Sequence, residues 1–375
     1  GTAKTDCIVI RQHTMRKEEK NMYSKPKTMP ELASMYTKMY RDRVSGKYFG
    51  KCPFCHGDIA SFSADKQTGT FFCYACGAGG NRYDFLERIG AVRQTPPQRG
   101  KDPVLLRMYA DAAFFYYQQL TTRGNIGNQY LKKRGITEEE MAEYGLGFAP
   151  DAFCCLYDSL KSRYEYSDLI RSGLFKISKK GNVYDLFRNR VMFPIMDENG
   201  DVIAFGGRVM DDTKPKYINS PDSQLFSKRT RLYGYPYKAE RRSEAIIICE
   251  GYMDYIALHS AGYQDCAAVL GTALTEEHVR LIASHYKKVY LSMDSDGAGI
   301  NAAKKSIGLL KAAGLPVRVL DFRPYKDPDE FLRSNPYGVD AFHKRVEQAL
   351  PACQFLARHA SDIGELAGIL ARQVP

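Results

Sequence analysis

The chain has 375 residues, with 54 Lys+Arg against 43 Asp+Glu, 44% hydrophobic residues and 26% charged ones. That balance excludes wholesale disorder, collagen-like repeats and a heptad rod, and no apolar run approaches the roughly 18 residues of a membrane span, so no membrane role is expected. The net charge of +11 favours a polyanionic partner such as nucleic acid, although solubility alone also explains a charge of this size.

In chain order, residues 1–45 form a polar, basic arm, with twelve Lys/Arg and five Asp/Glu between Gly1 and Lys51. Met29 to Tyr40 is predicted as one short helix, and the rest of the arm as a loose segment that either binds a partner or is a plain tail. Residues 46–94 make a compact unit. Residues 95–103 follow as an extended linker, because the paired prolines and glycine of Thr95-Pro-Pro-Gln-Arg-Gly-Lys-Asp-Pro103 cannot continue a helix. From Val104 to Leu120 apolar residues recur at helical spacing, with Leu105, Met108, Ala112 and Phe115 on one stripe, and a second helix holds Gln129 to Lys133. Short β-like runs follow at Val191 to Ile195 and Val202 to Phe205, joined by a turn over Asp197 to Asp201. Buried-strand runs at Ala245 to Cys249, Ala267 to Leu270, Val289 to Met293 and Val317 to Leu320 then alternate with helical stretches from Tyr252, Thr275 and Ala298. Such alternation predicts a parallel sheet covered by helices. At about 150 residues per domain, two or three domains are expected.

Four of the ten cysteines lie in two C-x-x-C pairs, Cys52-Pro-Phe-Cys55 and Cys73-Tyr-Ala-Cys76, separated by seventeen residues. Each pair bends into a knuckle, and a hairpin turning at Lys66-Gln-Thr-Gly69 brings the pairs together as a closed tetrahedral Cys₄ zinc site. A redox pair or disulfides are the alternatives, disfavoured because intracellular disulfides are rare, and the other six cysteines have no framework spacing. That usage points to a reducing, cytoplasmic compartment. His56 is a possible substitute ligand, but four thiolates already close the site. Such a site has no open position, so its expected role is to build a nucleic-acid-reading hairpin.

A second cluster is acidic. Glu250 follows the run Ala245 to Cys249, and Asp294 and Asp296 follow Val289 to Met293. In open parallel α/β sheets ligands collect at the carboxyl ends of strands, so these acids are expected to converge. Their hard oxygens suit Mg²⁺ or Mn²⁺. Asp327-Pro-Asp329 could add a third acidic point. Taken alone, Asp294 reads more readily as the cap of the next helix, but the convergence of several acids at equivalent strand ends reverses that reading. Gly297-Ala-Gly299 lacks the Lys-Ser or Lys-Thr of a P-loop. Between the clusters lie Arg188, Arg190, Arg208, Lys214, Lys216, Lys228, Arg229 and Arg231, with Tyr217 and Tyr233 interleaved. These side chains could grip phosphates and stack on bases, or could line a solvated sheet face.

Ordered motifs then resemble one family, the bacterial DnaG-type primases. They are the two cysteine pairs, Tyr130-Leu-Lys-Lys-Arg134-Gly135, Gly147-Phe-Ala-Pro150, Phe187-Arg-Asn-Arg190-Val-Met-Phe-Pro194, Phe205-Gly-Gly-Arg208, Pro215-Lys216-Tyr217-Ile-Asn219-Ser-Pro221, Leu232-Tyr-Gly234, Glu250-Gly-Tyr-Met-Asp254, Leu270-Gly-Thr272, Asp294-Ser-Asp296-Gly-Ala-Gly299 and Asp327-Pro-Asp329. The resemblance runs from about Gly46 to about Arg333. It implies an α/β and α+β multidomain protein: an N-terminal zinc ribbon, a mixed α+β basic subdomain over 104–243, a TOPRIM α/β subdomain with a parallel sheet over 244–335, and short C-terminal helices over 336–375. It implies a monomeric DNA primase that makes short RNA primers on single-stranded DNA from ribonucleoside triphosphates. By similarity Glu250, Asp294 and Asp296 would be the catalytic magnesium or manganese ligands, supported by Asp254, Asp327 and Asp329. Arg134, Arg190, Arg208, Lys216 and Lys228 would handle template or nucleotide, and Cys52, Cys55, Cys73 and Cys76 would hold structural zinc.

There are departures. Many relatives carry histidine where this chain has Cys55. The interval before Val104 is short, and the arm before Lys51 is unusual. Cellular relatives continue into a helicase-interacting domain, whereas here the chain stops soon after Asp340, so a replicative helicase is kept as a possible partner but binding through that domain is not assigned to this chain. The acidic motifs are shared with TOPRIM strand-cleaving enzymes such as topoisomerases and nucleases, which form the alternative reading. A DNA-binding module with vestigial acids is disfavoured because every expected acid is present.

Overall fold

The computed structural model divides the chain into two compact units, Gly1–Gly100 and Lys101–Pro375. It describes residues 28–43, 46–58, 60–66, 70–80, 85, 86, 88, 89, 102–236, 243–271, 273–335 and 337–371. Most of the arm and of the linker at 95–103, the turn residues 67–69 and Thr272 lie outside the described residues.

In the first unit, helix α1 (Met29–Ser34) begins at a capping box. Thr28 Oγ1 accepts the Glu31 N–H while Glu31 accepts the Thr28 N–H, and Pro30 fits the first turn. The helix expected through Tyr40 is shorter than that. Met39–Arg41 instead forms strand β1, because pairing with β2 (Tyr48–Gly50) satisfies its backbone in a ladder, Met39 opposite Gly50. Strands β3 (Phe62–Ala64), β4 (Phe71–Cys73) and β5 (Gly79–Gly80) complete an antiparallel sheet in sequence order. The expected hairpin is present as β3 and β4, with Phe62 opposite Cys73. Phe62, Phe71 and Phe85 are buried at its centre, with ring centroids 5.3 to 6.0 Å apart.

The second unit opens with helix α2 (Pro103–Thr121), capped by the Asp102 carboxylate. Its buried face carries Leu105, Met108, Tyr109, Ala112, Tyr116 and Leu120. Phe115, expected on that stripe, is half-buried, and Tyr116 takes the place beside Phe205. Helices α3 (Ile126–Lys133) and α4 (Glu138–Glu143) lead to strand β6 (Gly147–Ala149), then helices α5 (Cys155–Leu160) and α6 (Tyr166–Arg171). A small hairpin of β7 (Phe175–Ile177) and β8 (Val183–Asp185) precedes β9 (Arg190–Met196), β10 (Val202–Arg208) and β11 (Tyr217–Asn219). These last three join β6 in an antiparallel sheet of order β11-β10-β9-β6.

The chain then enters the expected parallel sheet. Strands β12 (Ala245–Cys249), β13 (Cys266–Ala268), β14 (Lys288–Ser292) and β15 (Val317–Val319) run parallel in the order β13-β12-β14-β15, with β16 (Leu350–Pro351) antiparallel at the edge. Helices α7 (Tyr252–Ser260), α8 (Glu276–Ala283), α9 (Gly297–Ala312), α10 (Pro328–Ser334), α11 (Gly338–Glu347), α12 (Ala352–Arg358) and α13 (Ile363–Ala371) complete this half. One continuous core joins the two sheets: Phe193 stacks on Tyr252 with centroids 4.8 Å apart, and Gly206 leaves room for the Tyr252 ring, 2.3 Å from where a Cβ would stand. A second cluster, including Ile246, Ile248, Val289 and Leu291, fills the other face of the parallel sheet. Among the described residues, no helix is long and apolar enough to cross a membrane.

Candidate functional site

The knuckle after β2 carries Cys52 and Cys55, and the end of β4 with its turn carries Cys73 and Cys76. Their four sulfurs lie within 4.8 Å of one another, with 3.9 Å between Cys52 and Cys76 and 3.8 Å between Cys55 and Cys73. Zinc–thiolate bonds of about 2.3 Å make a tetrahedron with edges of about 3.8 Å, so the donor set fits a structural zinc ion. Backbone N–H groups already face two sulfurs: Phe54 to Cys52 at 3.4 Å and Cys76 to Cys73 at 3.5 Å. Burial, helped by the neighbouring Cys73 and Cys55 thiols and opposed by the N–H groups of Cys55 and Phe54, pushes the Cys52 thiol up to about 12. Burial raises Cys73 too, but N–H groups of Cys76 and Ala75 outweigh it and hold that thiol at about 7. A bound cation supplies the remaining stabilisation needed for four thiolates. All four are free cysteines, not disulfides, and His56, at φ 57°, lies outside the four-sulfur group.

The acids assemble at the carboxyl ends of neighbouring parallel strands. Strands β12 and β14 pair Cys249 with Ser292, so Glu250 and Asp294 emerge side by side. Glu250 Oε1 accepts the Asp294 N–H at 3.1 Å. Burial and then mutual repulsion raise Glu250, and burial raises Asp294 although Lys326 works against it. Asp254, on the first turn of α7, is buried and accepts the Gly251 N–H at 3.0 Å. Burial, followed by the charges of Asp327, Asp294 and Asp329, pushes it well up. Asp296 and Asp327 each cap a helix, accepting from Gly299 N–H at 2.9 Å and Glu330 N–H at 2.8 Å. Of the acids after β14 and before α10, Asp296 and Asp327 take the capping role, and Asp294 is left facing the site. Among the described residues only the cysteines gather three or more ligand atoms within 4.8 Å, so the acids form a looser ring. A cation fits that ring: the Lys326 ammonium already lies 2.6 Å from Asp294 and 3.6 Å from Asp327.

Asp329 stands apart. It is 2% exposed and ion-paired to both Arg134, from the end of α3, and Arg333. Asp329 thereby links the basic half to the acidic half. The basic residues divide in the same way. Arg208, ending β10, lies between the rings of Tyr130 and Tyr217, 5.5 and 5.3 Å from their centroids. Lys216 is exposed and lies 3.8 Å from Asp212, and Lys228 is half-buried in the loop after β11. Arg190 turns inward: it is buried, and its guanidinium donates to the carbonyls of Gly207, Pro215 and Lys216 at 3.1 to 3.2 Å. Arg188 lies over Phe153 and Tyr184, while Arg231 and Arg229 pair with Glu198 and Glu277. Sequence reasoning missed Lys326, whose signal was its place directly before Asp327, and the structural use of Arg190, which no sequence signal reveals.

Three family models match the chain: the CHC2 zinc finger over residues 20–95, the N-terminal domain of the DNA primase catalytic core over 114–239, and a Toprim-like domain over 247–332. A DNA primase of Clostridium acetobutylicum is 33% identical across 95% of this chain, which spans 62% of that relative's length. The Aquifex aeolicus primase structure of zinc-binding and RNA polymerase domains is 29% identical, with a TM-score of 0.66, covering 94% of this chain and 90% of that one. A DnaG primase catalytic domain bound to single-stranded DNA is 33% identical with a TM-score of 0.63, covering 72% of this chain and 91% of that one.

Proposed function

The chain belongs to the bacterial DnaG-type DNA primase family, and from that premise we propose that it copies single-stranded DNA into short RNA primers from ribonucleoside triphosphates. The observation that carries this reading is that, within one unit, Glu250 and Asp294 meet at neighbouring strand ends while Arg134 pairs with Asp329 and Arg208 lies between Tyr130 and Tyr217. The strand-cleaving alternative is not favoured, because the primase-core match at 114–239 covers the half that such enzymes need not share.

Glu250, Asp294 and Asp296, with Asp254 and Asp327 beside them, would hold Mg²⁺ or Mn²⁺. When bound, such ions polarise the attacking 3′-hydroxyl and stabilise charge on the transferred phosphoryl group. The chain's own residues do the rest. Glu250 fixes the loop of Asp294 through its N–H, and the helix caps at Asp296 and Asp327 fix the neighbouring carboxylates, so the acids are held before substrate arrives. Arg208, stacked between two tyrosines, presents a guanidinium of restricted orientation to template or triphosphate. Arg190 positions the backbone that carries Lys216. Asp329, paired with Arg134 and Arg333, acts as a brace and not as a metal ligand. The exposed Phe72 and Tyr74 of the zinc unit, ring centroids 5.1 Å apart, offer a stacking surface for template bases.

The test incubates the protein with single-stranded DNA, four ribonucleotides and Mg²⁺ or Mn²⁺. Template-dependent RNA is the expected product, and cleaved DNA without RNA would favour the alternative.

A further inference from the structure

Lys326 reaches into the acidic ring. The backbone of Lys326 is pinned on both sides: its carbonyl accepts the Ser295 N–H at 2.7 Å, and its N–H donates to Glu330 Oε2 at 2.7 Å. The first bond fastens the loop before α10 to the loop after β14, and the second ties Lys326 to the first turn of α10. From that anchor the side chain reaches Asp294 at 2.6 Å and Asp327 at 3.6 Å. An ammonium and a divalent ion held by the same carboxylates repel one another, so the two are competing occupants. The tether gives the ammonium a fixed, high local concentration that no change in solution composition alters. Its side chain is 56% exposed, so it can swing into solvent without disturbing the core.

We propose that Lys326 is a tethered counter-cation of the divalent-metal site, neutralising Asp294 and Asp327 when metal is absent and setting metal affinity because it must leave when metal enters. The inference rests on the metal-site reading above and adds a residue that lowers affinity by design. Removing the ammonium should tighten metal binding, whereas removing a ligand should weaken it. The two roles are therefore separated by the sign of the effect.

The test titrates Mn²⁺ into the zinc-loaded full chain at fixed pH and ionic strength, following free Mn²⁺ by electron paramagnetic resonance. Lys326→Met is expected to bind Mn²⁺ about fivefold more tightly than the parent, the scale of an exposed ion pair, and to melt at a lower temperature in Mn²⁺-free buffer that leaves zinc in place. Lys326→Arg, which keeps the charge, should stay near the parent, and Asp294→Asn should bind more weakly. Lys326→Gln serves as a second neutral variant should the methionine variant aggregate. Unchanged or weaker Mn²⁺ binding by the neutral variants, with Asp294→Asn still impaired, would overturn the counter-cation role and leave the metal site standing. No Mn²⁺ bound by either parent or neutral variants would overturn both.

Discussion

Arg190 and Arg208 lie on adjacent strands, yet their surroundings give the same guanidinium different tasks. Arg190 is buried and donates to three carbonyls; if it were truncated, Lys216 would keep the Val209 N–H at 3.0 Å but Pro215 would lose both guanidinium donors, and an orphaned buried acceptor costs about 1–3 kcal/mol. Arg190→Ala should therefore lower stability by about 2–3 kcal/mol, read as a falling melting temperature. Arg208→Ala loses stacking contacts of about 0.5–2 kcal/mol and should melt close to the parent while binding labelled single-stranded DNA or triphosphate at least several-fold more weakly by anisotropy. Equal melting losses in the two variants would contradict this division of labour. Sequence alone grouped both arginines by charge, because charge says nothing about which way a strand residue points once two sheets share a core. Lys326 escaped notice for a related reason: its partners Asp294 and Asp327 are 32 and one residues away, and only the sheet register brings the distant one into reach.

At the level of elements, strand ends and helix starts hold the site. Gly299, in the first turn of α9, sits so close to Asp294 that an added Cβ would stand 2.2 Å from its carbonyl oxygen. Alanine normally stabilises a helix relative to glycine by about 1 kcal/mol. Gly299→Ala is nevertheless expected to lower the melting temperature and reduce RNA synthesis at least tenfold, because α9 must shift and carry Asp294 with it. A more stable, fully active variant would refute that packing argument. The cap of α5 offers a pH prediction. The buried Asp185 carboxyl accepts N–H groups of Leu156 and Tyr157, yet burial outweighs these bonds and raises it from 3.8 to about 6. Between those values the folded state holds the extra proton, so this group's contribution to stability is best below about pH 4 and is lost as pH rises through 6. Asp185→Asn should therefore gain on the parent by on the order of 2 kcal/mol between pH 4 and pH 7, measured as the difference in denaturant midpoints; a constant difference would sink the assignment. The alternating apolar runs made the parallel strands legible to within a residue or two, since a buried strand must be continuously apolar. The helix expected over Met29 to Tyr40 was not separable from α1 plus β1, because pairing of Met39–Arg41 with Tyr48–Gly50 is a tertiary contact that local periodicity does not encode.

On the scale of the whole molecule, two units with separate cores imply separable stabilities. The first unit has a small aromatic core and four thiols that need a cation, so chelating zinc should unfold it selectively. Hydrogen exchange is expected to lose protection over the strands from β1 to β5 while the second unit keeps its own, and template selection should weaken in the same sample. Simultaneous loss in both units would contradict independent cores. The cysteine spacing made the first site legible in full, because four ligands in two local pairs need only a hairpin to meet. The acidic site was legible as residue types at strand ends, and its counter-cation and brace were not. The most direct measurement compares parent and Asp294→Asn in one assay with single-stranded DNA, four ribonucleotides and Mg²⁺ or Mn²⁺, after circular dichroism has established that both are folded. Template-dependent RNA from the parent, reduced at least a hundredfold in the variant, is the predicted result; equal RNA synthesis by the two, or none by the folded parent, would contradict the account.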